Sequence, residues 1–258
     1  MSEILTKEHK KNIKKWGEAT SKALYSLNLF VSIQGESEGI DSYCFVCTYK
    51  HFENFIKLYN PKPYAPSSEG RFFTPKDRGK AKDRGVDIKG YKIGGIRIVT
   101  YSTSILFEDM RSKHKRLDYR LIVELHGFNQ YAKNGERKQV TPKAFEVGMY
   151  FLRTPRFSKL KAFDYAIDFK EKMQISYQEV TKKIPNLQEL NMPQTQTYKT
   201  TLYLQKHAPK FGYQEPLCIF QNGALQKVCI YDKQCKNKLD NPLTRFEFRV
   251  LLDDDFVR

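Results

Sequence analysis

Residues 227–250 read KVCIYDKQCKNKLDNPLTRFEFRV. Side chains alternate along a strand, so the run VCIYDK places Cys229, Tyr231 and Lys233 on one face and turns Asp232 to the other. After the turn residues DNPL, the run TRFEFRV sets Arg245, Glu247 and Arg249 together, opposite Phe246 and Phe248. Two runs of this kind joined by a return connection predict an antiparallel strand pair, each strand with one polar and one apolar face.

Working outward, the same strand signature recurs in YKIGGIRIVTYSTSILF (91–107), YRLIVELHGF (119–128), AFDYAIDF (162–169), TLYLQ (201–205) and PLCIF (216–220), with turn signals at QNGAL and DNPL. Helical patterns lie at 142–153 and 177–190, and Ile13, Trp16 and Leu24 recur at near-helical spacing behind the lysine-rich run KEHKKNIKK (7–15). The expected fold is α+β, a mainly antiparallel central sheet with flanking helices. The tract rich in Pro, Gly, Ser and charge before residue 91 is the best internal boundary. It divides the chain into an N-terminal basic helix and small accessory region (1–74), a basic loop or ribbon (75–90) and a sheet domain (91–258).

The 258 residues carry 45 Lys+Arg against 29 Asp+Glu, a formal net charge of +16. A field of that sign favours a polyanionic partner, nucleic acid first and an anionic lipid surface second. The charge is clustered. Residues 7–15 hold five lysines and one glutamate, including Lys10, Lys11, Lys14 and Lys15. Residues 76–92 hold seven Lys/Arg and three Asp, with KDRG repeated at 76–79 and 82–85, so that Lys76, Arg78, Lys80, Lys82 and Arg84 are candidate phosphate contacts. The alternative is that both clusters only solvate the surface. No apolar run is long enough to span a bilayer, and the first thirty residues lack a secretory signal, so no membrane partner and a cytoplasmic location are expected. Five cysteines, with CFVC at 44–47 unmatched by a second pair, argue against a zinc module or disulfide framework and for ordinary core thiols.

Three strands carry the candidate chemistry. AFDYAIDF turns Asp164 and Asp168 to one face, but about 13 Å apart, so at most one of them serves a given cation. YRLIVELHGF puts Glu124 and His126 side by side, and TRFEFRV contributes Glu247 between Arg245 and Arg249. If these strands are neighbours, carboxylates and imidazole could converge on one divalent cation; otherwise each charged face meets solvent. Tyr231 stands close to this set. A phenol is protonated at neutral pH, and attack on a phosphodiester needs cations or a metal to favour phenoxide and neutralise the phosphoryl oxygens. Lys233, Arg245 and Arg249 are suitable cations.

The order YRLIVELHGF, AFDYAIDF, TLYL, then Tyr-Asp-Lys followed by Arg-Phe-Glu-x-Arg, resembles the replication initiation factor family of rolling-circle plasmids and filamentous phages, to which some conjugative-transposon relaxases are similar. The resemblance covers roughly residues 91–250. It implies a sheet related to that of His-hydrophobic-His endonucleases, and a nicking and joining enzyme whose tyrosine becomes linked to DNA. On that resemblance Tyr231 is the nucleophile, Asp168 and Glu247 are metal-site carboxylates, and Asp232 and Lys233 are their neighbours. Glu124 and His126 match the spacing of the His-hydrophobic-His motif with one histidine replaced. The implied cofactor is Mg2+ or Mn2+. The implied partner is origin DNA, as duplex or hairpin with a single-stranded nick site, with a homodimer and a host helicase as further candidates. A conjugative relaxase, or a DNA-binding protein without catalysis, are the alternatives.

Overall fold

The computed structural model describes residues 37–66, 88–108, 115–154, 156–172, 194–198, 201–208, 213–215, 218–220 and 223–252. The fold is α+β. Its strands are β1 (Ser37–Cys47), β2 (Lys62–Tyr64), β3 (Lys89–Ile93), β4 (Ile96–Glu108), β5 (Lys115–His126), β6 (Ser158–Phe169), β7 (Gln194–Tyr198), β8 (Thr201–Ala208), β9 (Tyr213–Glu215), β10 (Cys218–Phe220), β11 (Gly223–Asp232) and β12 (Thr244–Leu252). The helices are α1 (Tyr49–Tyr59), α2 (Pro142–Leu152) and the short α3 (Lys233–Asn237). None of the helices among the described residues is long and apolar enough to cross a membrane.

The chain forms two compact units that alternate along the sequence. One contains Cys44–His126 and Thr141–Lys161; the other contains Gly127–Val140, Ala162–Arg258 and the segment ending at Tyr43.

In the first unit the strand order is β2-β3-β4-β5-β1. The stretch expected as one strand at 91–107 is instead a hairpin. Ile93 pairs with Ile96, and Gly94 and Gly95 take φ of +57° and +86°, the two-residue turn that only positive φ at both positions can close. Helix α2 starts where the sequence says it should: Thr141 accepts a hydrogen bond from Ala144 N at its side chain, and Pro142 occupies the first turn. Thr141 Oγ1 also donates to Gly94 O at 2.6 Å, fixing the helix start to the hairpin turn. Helix α1 buries His51, Phe52 and Phe55. His51 lies between Thr154 Oγ1, 2.9 Å from Nε2, and the ring of Tyr150, stacked at 4.5 Å. Burial holds its imidazole at about 4, so it is neutral in the native protein.

In the second unit the order is β1-β6-β12-β11-β8-β7, with β10 added to β11 and β9 to β8. Phe163, Ile167, Val228, Ile230, Phe246, Phe248 and Val250 form its apolar interior. The connection from β11 to β12 is not the tight turn expected at DNPL. Strand β11 ends at Asp232, α3 follows, and Lys238 at φ +54° terminates it before β12 begins. Lys233 therefore opens a helix instead of continuing the strand. The helical patterns at 7–24 and 177–190 and the basic tract at 75–87 lie outside the described residues.

Candidate active site

Register decides which charged groups meet. Along β6 and β12, Arg245 stands opposite Asp168, Arg249 opposite Asp164 and Glu247 opposite Ala166. Along β11 and β12, Tyr231 stands opposite Arg245 and Cys229 opposite Glu247. The alternative that these charged faces meet solvent is replaced by pairing: each aspartate of AFDYAIDF faces an arginine of TRFEFRV. All five charged side chains are buried, with Arg245 and Asp164 at 0% exposure.

Arg245 is the hub. Its Nε donates to Asp168 Oδ1 at 2.6 Å and its Nη2 to Asp168 Oδ2 at 2.8 Å, a two-pronged contact matched to carboxylate geometry. Nη1 donates to Asp41 Oδ1 at 3.0 Å and Nη2 also to Asn129 O at 3.1 Å. Burial works against the guanidinium charge, but the hydrogen bond to Asp168 and the surrounding anions outweigh it and hold Arg245 firmly protonated. Arg249 makes a similar two-pronged contact with Asp164, at 2.9 and 3.0 Å. There burial wins over Arg249 and lifts the Asp164 carboxyl above its ordinary range.

Tyr231 donates its phenol proton to Glu247 Oε2 at 3.1 Å. Burial first, then the Glu247 carboxylate, push the phenol well above its ordinary value, while Arg245 pulls the other way. Lys233, 3% exposed, has its ammonium lowered to about 8 by burial and by Arg245. Over the Tyr231 ring lie Lys236 Nζ, 4.0 Å from the centroid, and Lys233 Nζ, 6.0 Å away. The arrangement is a protonated phenol on a carboxylate, flanked by an ammonium lowered to about 8 and a guanidinium that keeps its charge.

Asp232 takes no part in that contact set. Its Oδ1 accepts Cys235 N at 2.8 Å and caps α3. Glu124 and His126 belong to the first unit. There Glu124 Oε1 accepts from Tyr101 at 2.8 Å and Oε2 lies 2.9 Å from His126 Nε2.

A divalent cation does not fit the donors as they stand. Both oxygens of Asp168 are held by Arg245, and Oδ2 also accepts Tyr131 Oη at 2.7 Å. Asp232 Oδ1 caps a helix and Glu247 Oε2 accepts the Tyr231 phenol. No group of three or more His, Cys, Asp or Glu side chains able to hold a metal occurs among the described residues. Arginine supplies the positive charge beside Asp41, Asp164 and Asp168.

Sequence reasoning missed Asp41, Asn129 and Tyr131. Asp41 had a readable signal, since it is an acid embedded in the near-apolar run IDSYCFVC, as Asp168 is in AFDYAIDF. Asn129 and Tyr131 lie in an irregular segment after β5, where no periodicity marks them. The candidate phosphate contacts Lys10, Lys11, Lys14, Lys15, Lys76, Arg78, Lys80, Lys82 and Arg84 all fall outside the described residues.

Comparison with known proteins adds little to this geometry. No family model matches the chain, and no curated protein matches it. Among solved structures, the chain is distantly similar to a rolling circle replication initiator protein from Geobacillus stearothermophilus, at 10% identity and a TM-score of 0.28, over 86% of this chain and 76% of that one.

Proposed function

We propose that the chain nicks one strand of origin DNA through Tyr231 and so starts rolling-circle replication. The observation that carries this reading is the Tyr231 phenol resting on the buried Glu247 carboxylate at 3.1 Å, with Arg245 opposite it in the sheet. In the step, Tyr231 Oη bonds to phosphorus, its proton passes to Glu247, and the bond from phosphorus to the 3′-oxygen breaks. Lys233, with its proton held at about 8, is suited to protonate that leaving oxygen. Arg245, opposite Tyr231 in the sheet, works against the burial that disfavours the phenoxide. The products are a 5′-phosphotyrosine link and a free 3′-hydroxyl that primes a polymerase. No nucleotide cofactor is consumed, because the link conserves the phosphodiester energy.

The reading has a mechanical requirement. Tyr231 is 3% exposed and lies beneath Lys236, so α3 must move aside before a phosphodiester can reach Oη. The basic runs near 7–15 and 75–90 would supply phosphate contacts. Mg2+ or Mn2+ is treated as a condition of the assay, and no step is drawn through it.

A second reading is a DNA-binding protein without catalysis. It is favoured by the arginine–aspartate couples, which leave the polar face of β6 and β12 buried and self-neutralised, as in a structural ionic core. One experiment separates the two. Supercoiled plasmid carrying the coding region and its flanking DNA is incubated with the protein and Mg2+ or Mn2+, with a parallel EDTA arm. Relaxed circles bearing covalently attached protein are expected; retarded but fully supercoiled, protein-free DNA after denaturation would favour the second reading.

A further inference from the structure

Within the second unit, residues 233–243 join β11 to β12 as a loop closed at its base, where Lys233 N and Gln234 N both donate to Leu243 O, at 2.8 and 3.1 Å. Helix α3 lies in this loop and sets Lys236 Nζ 4.0 Å from the centroid of the Tyr231 ring. The phenol beneath is 3% exposed, so the reacting group proposed above is covered. The far side of the loop is fastened to the turn at 131–137. Asp240 N donates to Lys133 O at 2.8 Å, Asn241 Nδ2 donates to Asn134 O at 2.6 Å, and Leu239 and Leu243 cluster with Tyr131. We propose that residues 233–243 are an autoinhibitory lid, latched to the 131–137 turn, that keeps Tyr231 covered until a phosphate group draws Lys236 away. The inference rests on the nicking reading and gives that site its regulation.

The two sides of this latch differ in firmness. The turn is braced: Tyr131 and Arg137 form a β-bridge, and Ala132 N donates to Glu136 O at 2.8 Å. The loop is held lightly. Cys235, Lys236, Lys238, Asp240 and Asn241 are exposed, and its buried apolar residues are Leu239 and Leu243. A segment with so little buried apolar surface and with exposed hydrogen bonds opens locally, far below the cost of unfolding the sheet. The Lys133–Asp240 ion pair, 3.8 Å apart, adds little because both side chains stand in water. Lys238 ends α3 at φ +54°, a left-handed conformation that is unfavourable for a residue with a side chain and that opening relieves.

Charge supplies the trigger. An exposed ammonium over an aromatic face is weakly attracted, whereas a phosphate offers it a stronger, charge-assisted hydrogen bond. Lys236 therefore leaves the Tyr231 ring when phosphate is near, and Lys238, exposed at the end of α3, is drawn the same way. Once Lys236 has moved, the latch at Asp240 and Asn241 is all that holds the far side. The base bonds from Lys233 and Gln234 to Leu243 stay, so the lid swings as one compact loop and closes again when the anion departs.

The test is amide hydrogen exchange on the full chain in EDTA, read at single-residue resolution by mass spectrometry. The amides of Leu239 and Asp240 are expected to exchange through local opening, well ahead of those of Ile230 and Phe246 in the core strands. Asn241→Ala, at an exposed site, removes one latch bond and should speed exchange at Asp240 by about threefold to tenfold, the worth of one hydrogen bond, with Ile230 unchanged. A short single-stranded oligonucleotide should speed the same two amides in the wild type and leave them unaltered in Lys236→Met. Amides at Leu239 and Asp240 that exchange no faster than Ile230, or an Asn241→Ala variant that speeds none of them, overturn the lid. An oligonucleotide that slows them, or that acts equally on Lys236→Met, overturns the trigger. Exchange needs no nick, so a chain that never cuts DNA can still show the lid, and one that nicks normally without local opening refutes the lid alone.

Discussion

In the first unit a carboxylate is kept inside the sheet by a phenol and an imidazole; in the second, aspartates are kept inside by guanidinium groups. Glu124 accepts from Tyr101 and meets His126, with distances of 2.8 and 2.9 Å. Arg245 instead bridges Asp168, Asp41 and a backbone carbonyl, while Arg249 holds Asp164. The first arrangement depends on short hydrogen bonds within and between adjacent strands, because Glu124 and His126 share one face of β5 and Tyr101 comes from β4. The second places full charges of both signs within the interior, where desolvation is costly unless every partner is present. A sheet that only needed stability would gain little from such pairs, since apolar residues of similar volume often serve as well. Their presence beside Tyr231 is what makes the second unit the candidate site.

The largest expected effect tests the hub. Arg245→Met leaves two aspartates, Asp168 and Asp41, without their guanidinium, and should cost about 4–5 kcal/mol in urea unfolding. Arg249→Met strands Asp164 alone, whose carboxyl is already lifted towards its neutral form, and should cost about 3 kcal/mol or less. Equal losses, or a larger one at Arg249, would remove the distinction between a hub and a simple pair.

A smaller effect separates the units by pH. His51 in the first unit is held by burial at about 4, against an ordinary 6.5. The unfolded chain therefore takes up a proton that the native protein refuses, and stability falls as pH drops from 6.5 towards 4, by about 2 kcal/mol. Lys233 in the second unit is lowered to about 8 from 10.5. Between those values the unfolded chain keeps a proton the native one has shed, so stability rises with pH across that window by a similar amount, about 2 kcal/mol. His51→Gln should erase the acid limb and Lys233→Met the alkaline limb, read as urea midpoints of variant and wild type at pH 4, 7, 8 and 10. A Lys233 variant that changes only the acid limb would contradict the assignment.

How much of this the sequence disclosed follows from what period-2 patterning can encode. Alternation in AFDYAIDF and TRFEFRV placed Asp164, Asp168, Arg245, Glu247 and Arg249 on shared faces, and the structure keeps those faces. It could not give register, and register is what sets arginine opposite aspartate in place of carboxylate beside carboxylate. Alternation was also read one residue too far, to Lys233, because the Asp232 side chain caps a helix that begins there. Burial escaped because charged alternation usually signals solvent, a rule that pairing across neighbouring strands overrides. The hairpin at Gly94–Gly95 was legible as a turn signal and was passed over in favour of the apolar run around it.

The proposed chemistry links Tyr231 covalently to DNA. The most direct measurement is to denature the nicking reaction, digest both protein and DNA, and locate the nucleotide-bearing peptide by mass spectrometry, with Tyr231→Phe in parallel. A nucleotide is expected on the peptide containing Tyr231, with a loss of adduct by about a hundredfold or more in the variant. An adduct that persists in Tyr231→Phe, or that maps to another tyrosine such as Tyr203, would contradict it.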